Sequence, residues 1–327
     1  MVFAVSEKNK IKLLLSRPRG FCAGVERAIE SVEKALSLWG APIYVKHEIV
    51  HNRHVVHRLQ KMGAIFIEEI NQVPPGSRLI YSAHGVSPAV RKEAKARQLI
   101  EIDATCGLVT RVHSAVKRFA ALGYQIILVG HRNHVEVIGT AGEAPEVTTI
   151  VENSHDVESL SFASDEKLFY ITQTTLSLDD VKEITDALTK KYPQITTLPS
   201  SSICYATTNR QLALREITDV TDLVLVVGDP QSSNSNRLRE VASNRGVESY
   251  LINDEKEIEP SWLQGKQTIG LTAGASTPEE IVQKCIEKLI ELGVDGVEDV
   301  TYTNENVVFQ LPKPLYDAEL KKNVVKN

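Results

Sequence analysis

Three cysteines, Cys22, Cys106 and Cys204, each stand directly ahead of a strongly helical run: "CAGVERAIESVEKAL", "CGLVTRVHSAVKRFAALG" and "CYATTNRQLALREITDV". The unpaired N–H groups and the positive end of a helix help to hold a thiolate or an anionic cluster. Thiolate ligands suit zinc, copper(I) or iron–sulfur clusters. Structural zinc takes four protein ligands, and a cubane cluster usually takes four cysteines, so three thiolates leave one coordination position open to a substrate. From spacing alone, three unrelated buried cysteines account for the pattern equally well. The fourth cysteine, Cys285, falls on the apolar face of "IVQKCIEKLI" and reads as core. No pair forms C-x-x-C, which excludes the zinc-ribbon and thioredoxin patterns, and disulfides are not expected in so large a chain of cytosolic type.

A polar loop follows each cysteine by about 29 residues: it holds His51 in the first case, His131 and His134 in the second, and Ser232 to Asn236 in the third. A second loop further on carries His84, Thr174 and Ser276 in turn. Imidazoles at His51, His84 and His134 can donate to an anion or pass protons. Glu136 lies beside His134 in the apolar "HVEV" stretch; burial would raise its proton affinity and make it a proton donor, although a surface carboxylate is the ordinary fate of a glutamate. Thr174, Ser232, Ser233, Asn234 and Ser276 all precede helices, where hydroxyl, amide and backbone donors bind phosphate without many cations. Helix capping is the everyday use of such residues, and Ser177 and Thr277 read as caps alone. Together these loops point to a small anionic substrate such as a diphosphate. His47, His54, His57, His113, His131 and His155 read as structural or surface residues.

The elements that must position these groups repeat three times. Each pass reads cysteine, helix, strand, polar loop, helix, two strands, polar loop and closing helix, over roughly 90 residues. "YQIILVG" and "DLVLVVG" are buried strands, and "STPEEIVQKCIEKLIELG" is a capped helix with acids in its first turn. Strand–helix alternation predicts an α/β chain with small parallel sheets, whose ligands sit at the carboxyl ends of the strands. The predicted units are 11–104 around Cys22, 105–202 around Cys106 and 203–293 around Cys204, with 294–327 as a tail packing across them. If the units pack about an axis, the three cysteines converge on it. The 327 residues carry a formal net charge of −5, which is not a nucleic-acid footprint. No apolar run is long enough to span a bilayer, and "MVFAVSEKNK" has no secretory or transit character, so the expected place is the cytoplasm.

The motifs "RGFCAGVERAI", "HEIVHNRHVV", "SAHGVS", "DATCGLVTRVH", "HVEVIGT", "TQTTLS", "ICYATTNRQ", "SSNSNRL" and "TAGASTPE" resemble, in order and over nearly the whole chain, those of the hydroxymethylbutenyl diphosphate reductase family, IspH/LytB. The resemblance implies a pseudo-threefold trefoil of three α/β domains around one [4Fe–4S] cluster with three cysteine ligands and one open iron. It implies Cys22, Cys106 and Cys204 as those ligands and Glu136 as the acid that relays the proton. His51, His84, His134, Thr174, Ser232, Ser233, Asn234 and Ser276 match the substrate contacts. The implied reaction is the reductive removal of an allylic hydroxyl from a diphosphate substrate, fed by ferredoxin or flavodoxin. Gly107 and Val135 depart from the family, which commonly has proline at both positions. A non-redox dehydratase would turn over without a reductant, quinolinate synthase carries different motifs, and a sensor would need neither the anion loops nor the buried acid. The close cysteine triplet of radical-SAM enzymes is absent.

Overall fold

The computed structural model describes residues 10–324; most of the opening stretch read above as lacking a leader, and positions 325–327 of the predicted tail, lie outside them. Among the described residues the chain runs β1 (Ile11–Arg17), α1 (Ala23–Trp39), β2 (Ile43–Lys46), α2 (Arg53–Lys61), β3 (Ala64–Ile67), β4 (Arg78–Tyr81), α3 (Pro88–Ala96), β5 (Ile100–Asp103) and α4 (Gly107–Ala121). It continues with β6 (Gln125–Val129), α5 (Val135–Ala141), β7 (Thr148–Val151), α6 (Ser154–Ser159), β8 (Leu168–Thr172) and α7 (Leu178–Lys191). The remainder is α8 (Tyr205–Thr218), β9 (Leu223–Val227), α9 (Ser233–Ser243), β10 (Glu248–Ile252), β11 (Thr268–Ala273), α10 (Glu279–Glu291), β12 (Val294–Thr301) and α11 (Lys313–Val324). None of these helices is long and apolar enough to cross a membrane.

The strands make three sheets, ordered β3-β2-β4-β5, β7-β6-β8 and β10-β9-β11-β1-β12, and every pairing is parallel. The expected α/β class with small parallel sheets is therefore what the chain adopts. In all three sheets the first strand of a repeat lies between its second and third, so the threefold pattern read from sequence is a repeat of topology.

The chain divides into two compact units: the segment up to Phe21 with Ala206–Asn306, and Cys22–Tyr205 with the segment from Val307 onward. In the first, the five-stranded sheet is covered on both faces. Leu13, Leu15, Leu225 and Leu271 meet Val282, Cys285, Ile286 and Leu289 of α10. Leu14, Val224 and Val226 meet Leu214 and Ile217 of α8 and Leu238 and Val241 of α9. Successive residues point to opposite faces, which is why these strands read as unbroken apolar runs. Cys285 is core, as its spacing predicts. In the second unit, β6 sends Ile126 and Leu128 toward Val112 and Val116 of α4, and Ile127 and Val129 toward Ile184 and Leu188 of α7.

The predicted boundaries differ from the structure at two places. The span 11–104 puts the first strand with the Cys22 unit, but β1 pairs with β11 and β12. Its "LLL" core is buried on both faces and needs a central place, whereas the open edge beside β4 is taken by β5. The predicted tail begins with β12, an exposed edge strand whose acids hide its character. Asp295, Glu298 and Asp299 pair with Lys10, Lys12 and Arg17 at 3.0, 2.6 and 2.6 Å, and such charge also discourages further pairing on that edge. The later part of the tail, α11, belongs to the other unit, where Glu319 pairs with Lys34 of α1.

Sequence reading gives no hint of Arg210, the largest fully buried side chain. Its guanidinium donates to Gly20 O at 3.1 and 2.8 Å, Phe21 O at 3.2 Å and Ala206 O at 3.0 Å, and pairs with Glu305 at 3.1 Å. It thus ties down the backbone just ahead of Cys22. Removing one partner from a buried ion pair costs about 3–5 kcal/mol. Arg210→Met is expected to lower stability by that order in urea unfolding followed by circular dichroism, and an unchanged midpoint would show the tie to be dispensable.

Candidate active site

Parallel sheets place the chemistry-bearing loops at one edge. Five residues beyond the ends of β2, β6 and β9 stand His51, His134 and Ser232. Asn52, His134 and Ser232 are the N-caps of α2, α5 and α9. His134 Nδ1 accepts the Glu136 N–H at 3.2 Å, so the proton of the neutral ring sits on Nε2 and that edge is a fixed donor.

His51, His84 and His134 come together. Ring centroids are 4.3 Å apart for His51 and His84, 5.6 Å for His51 and His134, and 6.0 Å for His84 and His134. The sequence reading sets His47 aside, yet it joins the group at 5.5 Å from His51 and 6.0 Å from His84. It follows β2 directly, in the left-handed region at φ 61, and its Nδ1 meets Glu68 at 2.9 Å. The usable signal was its place at a strand end, four residues before His51. Burial, reinforced by the neighbouring imidazoles, pushes His84 well below its ordinary value and His134 down to about 3. Both rings are thus held in the neutral form.

Glu136 is 2 % exposed. Its Oε1 accepts the Thr174 N–H at 2.7 Å and its Oε2 accepts the Thr174 hydroxyl at 3.0 Å. Burial raises its pKa, against the opposing pull of the two Thr174 bonds and of His113. The Cys204 N–H donates to Thr174 O at 3.0 Å, so the third cysteine shares the backbone that holds the acid.

Cys22 and Cys106 are the N-caps of α1 and α4. A Cβ on Gly24 would stand 2.6 Å from Cys106 Sγ and 3.9 Å from Cys22 Sγ. The two sulfurs therefore lie beside one bare stretch of backbone that no other residue type would leave open. Burial and the nearby Cys22 push the Cys106 thiol up to about 11, with the Leu108 and Val109 N–H groups acting the other way. A thiol so placed ionises only beside compensating positive charge, which metal coordination provides. Among the described residues no three His, Cys, Asp or Glu side chains surround a single ion; thiolates of a polynuclear cluster bind different irons and stand further apart. The donor chemistry and the Gly24 cradle fit such a cluster at Cys22 and Cys106. Gly107 also has its reason: a Cβ there would meet the Phe309 ring at 3.2 Å. Arg27 fastens the same region by donating to Gln310 O at 2.6 Å and Thr105 O at 2.9 Å. Val135 occupies the first position of α5, where a proline would cost no hydrogen bond.

The other unit carries Ser232, Ser233, Asn234 and Ser276. Ser232 Oγ accepts the Ser235 N–H at 3.3 Å. Asn234 Oδ1 accepts the Ala275 N–H at 2.8 Å, and its amide donates to Thr207 Oγ1 at 3.2 Å, so α9 and the Ser276 loop are joined. Thr277 is not a cap as read above: Pro278 holds that position in α10, and the Thr277 hydroxyl donates to Val227 O at 2.9 Å. Ser177 does cap α7, accepting the Asp180 N–H at 3.3 Å.

A family model described as LytB protein matches residues 13–290. The 4-hydroxy-3-methylbut-2-enyl diphosphate reductase of Protochlamydia amoebophila is 80% identical, over 94% of this chain and 98% of its own. Its namesake from Chlamydia pneumoniae is 64% identical, over 93% and 98%. The solved structure of the E-1-hydroxy-2-methyl-but-2-enyl-4-diphosphate reductase from Plasmodium falciparum is similar with a TM-score of 0.94 at 50% identity, covering 96% of this chain and 99% of that one.

A carboxyl whose pKa is raised by folding costs stability only where the unfolded group ionises, above its ordinary 4.5. The cost grows as pH rises until the folded group ionises too. Glu136→Gln keeps both Thr174 contacts and has no proton to lose. Its apparent Tm is expected to exceed that of the parent at pH 7.5 and to do so by less at pH 5.5; calorimetry showing the opposite trend would refute a raised Glu136.

Proposed function

The chain belongs to the LytB protein family, and on that footing we propose which of its residues carry the reaction. The activity is that of a 4-hydroxy-3-methylbut-2-enyl diphosphate reductase, the terminal enzyme of the non-mevalonate pathway. In balanced form, the allylic C–O bond breaks, two electrons and two protons are consumed, and water leaves with isopentenyl or dimethylallyl diphosphate. The observation that carries the residue assignment is Glu136, buried and doubly bonded to Thr174, beside a knot of histidines and in the same unit as the paired cysteines.

Cys22, Cys106 and Cys204 would hold a [4Fe–4S] cluster with one iron uncommitted to the protein. When bound, that group supplies electrons one at a time and a Lewis acid. Ferredoxin or flavodoxin, in the cytoplasm, would feed it. His51, His84 and His134 take the diphosphate end, with Ser232, Ser233, Asn234 and Ser276 as further donors. His134 offers a fixed Nε2–H. His84 has only a Ser82 hydroxyl against Nδ1, at 3.3 Å, and can become a cation when the anion arrives. Anchoring that end turns binding energy into orientation of the hydroxyl. Glu136, whose burial favours the protonated form, delivers its proton to the leaving oxygen, because hydroxide is a poor leaving group and water a good one. Thr174 serves both charge states of the acid, since its hydroxyl rotates to donate to the carboxylate or accept from the carboxyl.

The test is anaerobic purification, iron and sulfide analysis, and assay with 4-hydroxy-3-methylbut-2-enyl diphosphate and a strong one-electron donor. Glu136→Gln is expected to keep cluster content and substrate affinity while losing turnover by about 10²-fold or more; parent-like rates would remove the acid from the mechanism. Inorganic diphosphate binding near pH 7.5 is expected to take up about one proton, seen as a dependence of calorimetric heat on buffer ionisation enthalpy. His84→Gln should abolish the uptake and His134→Asn should retain it. Uptake persisting without His84 would contradict the assignment.

A further inference from the structure

Beneath the site lies a buried pair that the reaction, as described, does not use. His113 of α4 and Glu143 meet at 2.9 Å, Nδ1 to Oε1, with side chains only 9% and 8% exposed. Among the described residues His113 Nε2 and Glu143 Oε2 are buried without a hydrogen-bond partner, so Glu143 supplies the one polar contact that orients the ring. What the ring touches gives it meaning. A Cβ on Gly85, next to His84, would stand 3.1 Å from His113 Nε2. A Cβ on Gly139, one turn beyond Glu136 in α5, would stand 3.4 Å from both His113 Cε1 and Gly85 O. Gly142 continues the same face, where a Cβ would meet the Ser87 side chain at 2.5 Å. Two glycines at i and i+3 thus press α5 onto the His84–Ser87 segment, and the His113 imidazole is the third wall of that contact.

We propose that His113, oriented by Glu143, is a positioning residue that fixes the spacing between His84 and the Glu136-bearing helix. The inference rests on the roles given above to His84 and Glu136 and deepens them. It has a particular signature. His51 and His84 remain in place as donors while His134, the N-cap of α5, moves together with Glu136, so a substrate anchored on the first two loses its alignment with the acid. A shift of 1 Å costs up to about 10²-fold in rate.

A single substitution leaves one buried polar group unpaired, whereas replacing both partners by apolar groups of similar shape is nearly neutral for stability. The double variant His113→Phe/Glu143→Leu therefore tests the idea in a folded protein, and Glu143→Gln, which keeps the acceptor without the charge, is the conservative control. The readouts are kcat, the calorimetric Kd for inorganic diphosphate, iron content and Tm of the holoprotein. We expect the double variant to lose about 10- to 100-fold in kcat, with diphosphate affinity falling by much less than kcat and iron content unchanged, and Glu143→Gln to keep kcat within about threefold. A double variant with parent-like kcat, one that loses diphosphate affinity as steeply as kcat, or a Glu143→Gln variant as impaired as the double would each overturn the proposal. A parent chain that fails to reduce the substrate overturns the assigned roles and the inference with them, whereas an active parent with an indifferent double variant overturns the inference alone.

Discussion

Backbone hydrogen bonds between one repeat and the start of the next are the constraint on which the site depends. The segment ahead of each cysteine pairs in parallel with the third strand of a sheet it does not otherwise belong to. β1, ahead of Cys22, pairs with β11; β5, ahead of Cys106, pairs with β4; and Thr196, ahead of Cys204, bridges to Phe169 of β8. The same ladder runs on into the loops: Gly20 N–H donates to Ala273 O at 3.3 Å, Cys106 N–H to Ala83 O at 3.0 Å and Cys204 N–H to Thr174 O at 3.0 Å. Within their unit, Cys106 and Cys204 are therefore registered against the loops that carry His84 and Thr174. Neither of these two sulfurs can shift along its ladder without shifting the polar residue beside it, which is how residues far apart in sequence keep a common frame within that unit.

Burial acts on this frame in one direction. It lowers the proton affinity of His84 and His134 and raises that of Glu136 and Cys106. In each case the neutral form is favoured, because an ion in low dielectric has lost its water. Four groups of this frame are thus shifted by burial toward their neutral forms.

Much of this was legible in the sequence because the repeat is one of topology. Five residues past a strand end, and again at the loop after the third strand, unusual residues recur in three contexts, and a period visible three times outweighs weak identity. The residues that escaped are those whose role comes from partners distant in sequence. β1 was assigned by chain order, yet its two buried faces called for a central place that only β11 and β12 provide. β12 reads as a polar tail because its stabilising contacts are ion pairs with β1 and not a buried apolar face. His47 carries only the weak signal of a strand end, and His113 and Arg210 carry no local signature: each is ordinary until the fold supplies Glu68, Glu143 and the carbonyls of Gly20 and Phe21.

The sequence also poses a choice between helix capping and ligand binding that the structure does not respect. His134 and Ser232 are both N-caps, each spending an acceptor on a backbone N–H of its own helix. For His134 the spent acceptor is Nδ1, which fixes the tautomer and leaves Nε2–H as the outward donor. For Ser232 the spent acceptor is a lone pair of Oγ, which leaves the O–H to donate. Capping is then the means by which these side chains are oriented: the bond that satisfies the helix removes the rotamer and tautomer freedom that a binding site would otherwise have to freeze when its ligand arrives. A residue at such a position that could accept from the helix but had nothing left to donate, such as aspartate, would cap equally well and would repel the anion.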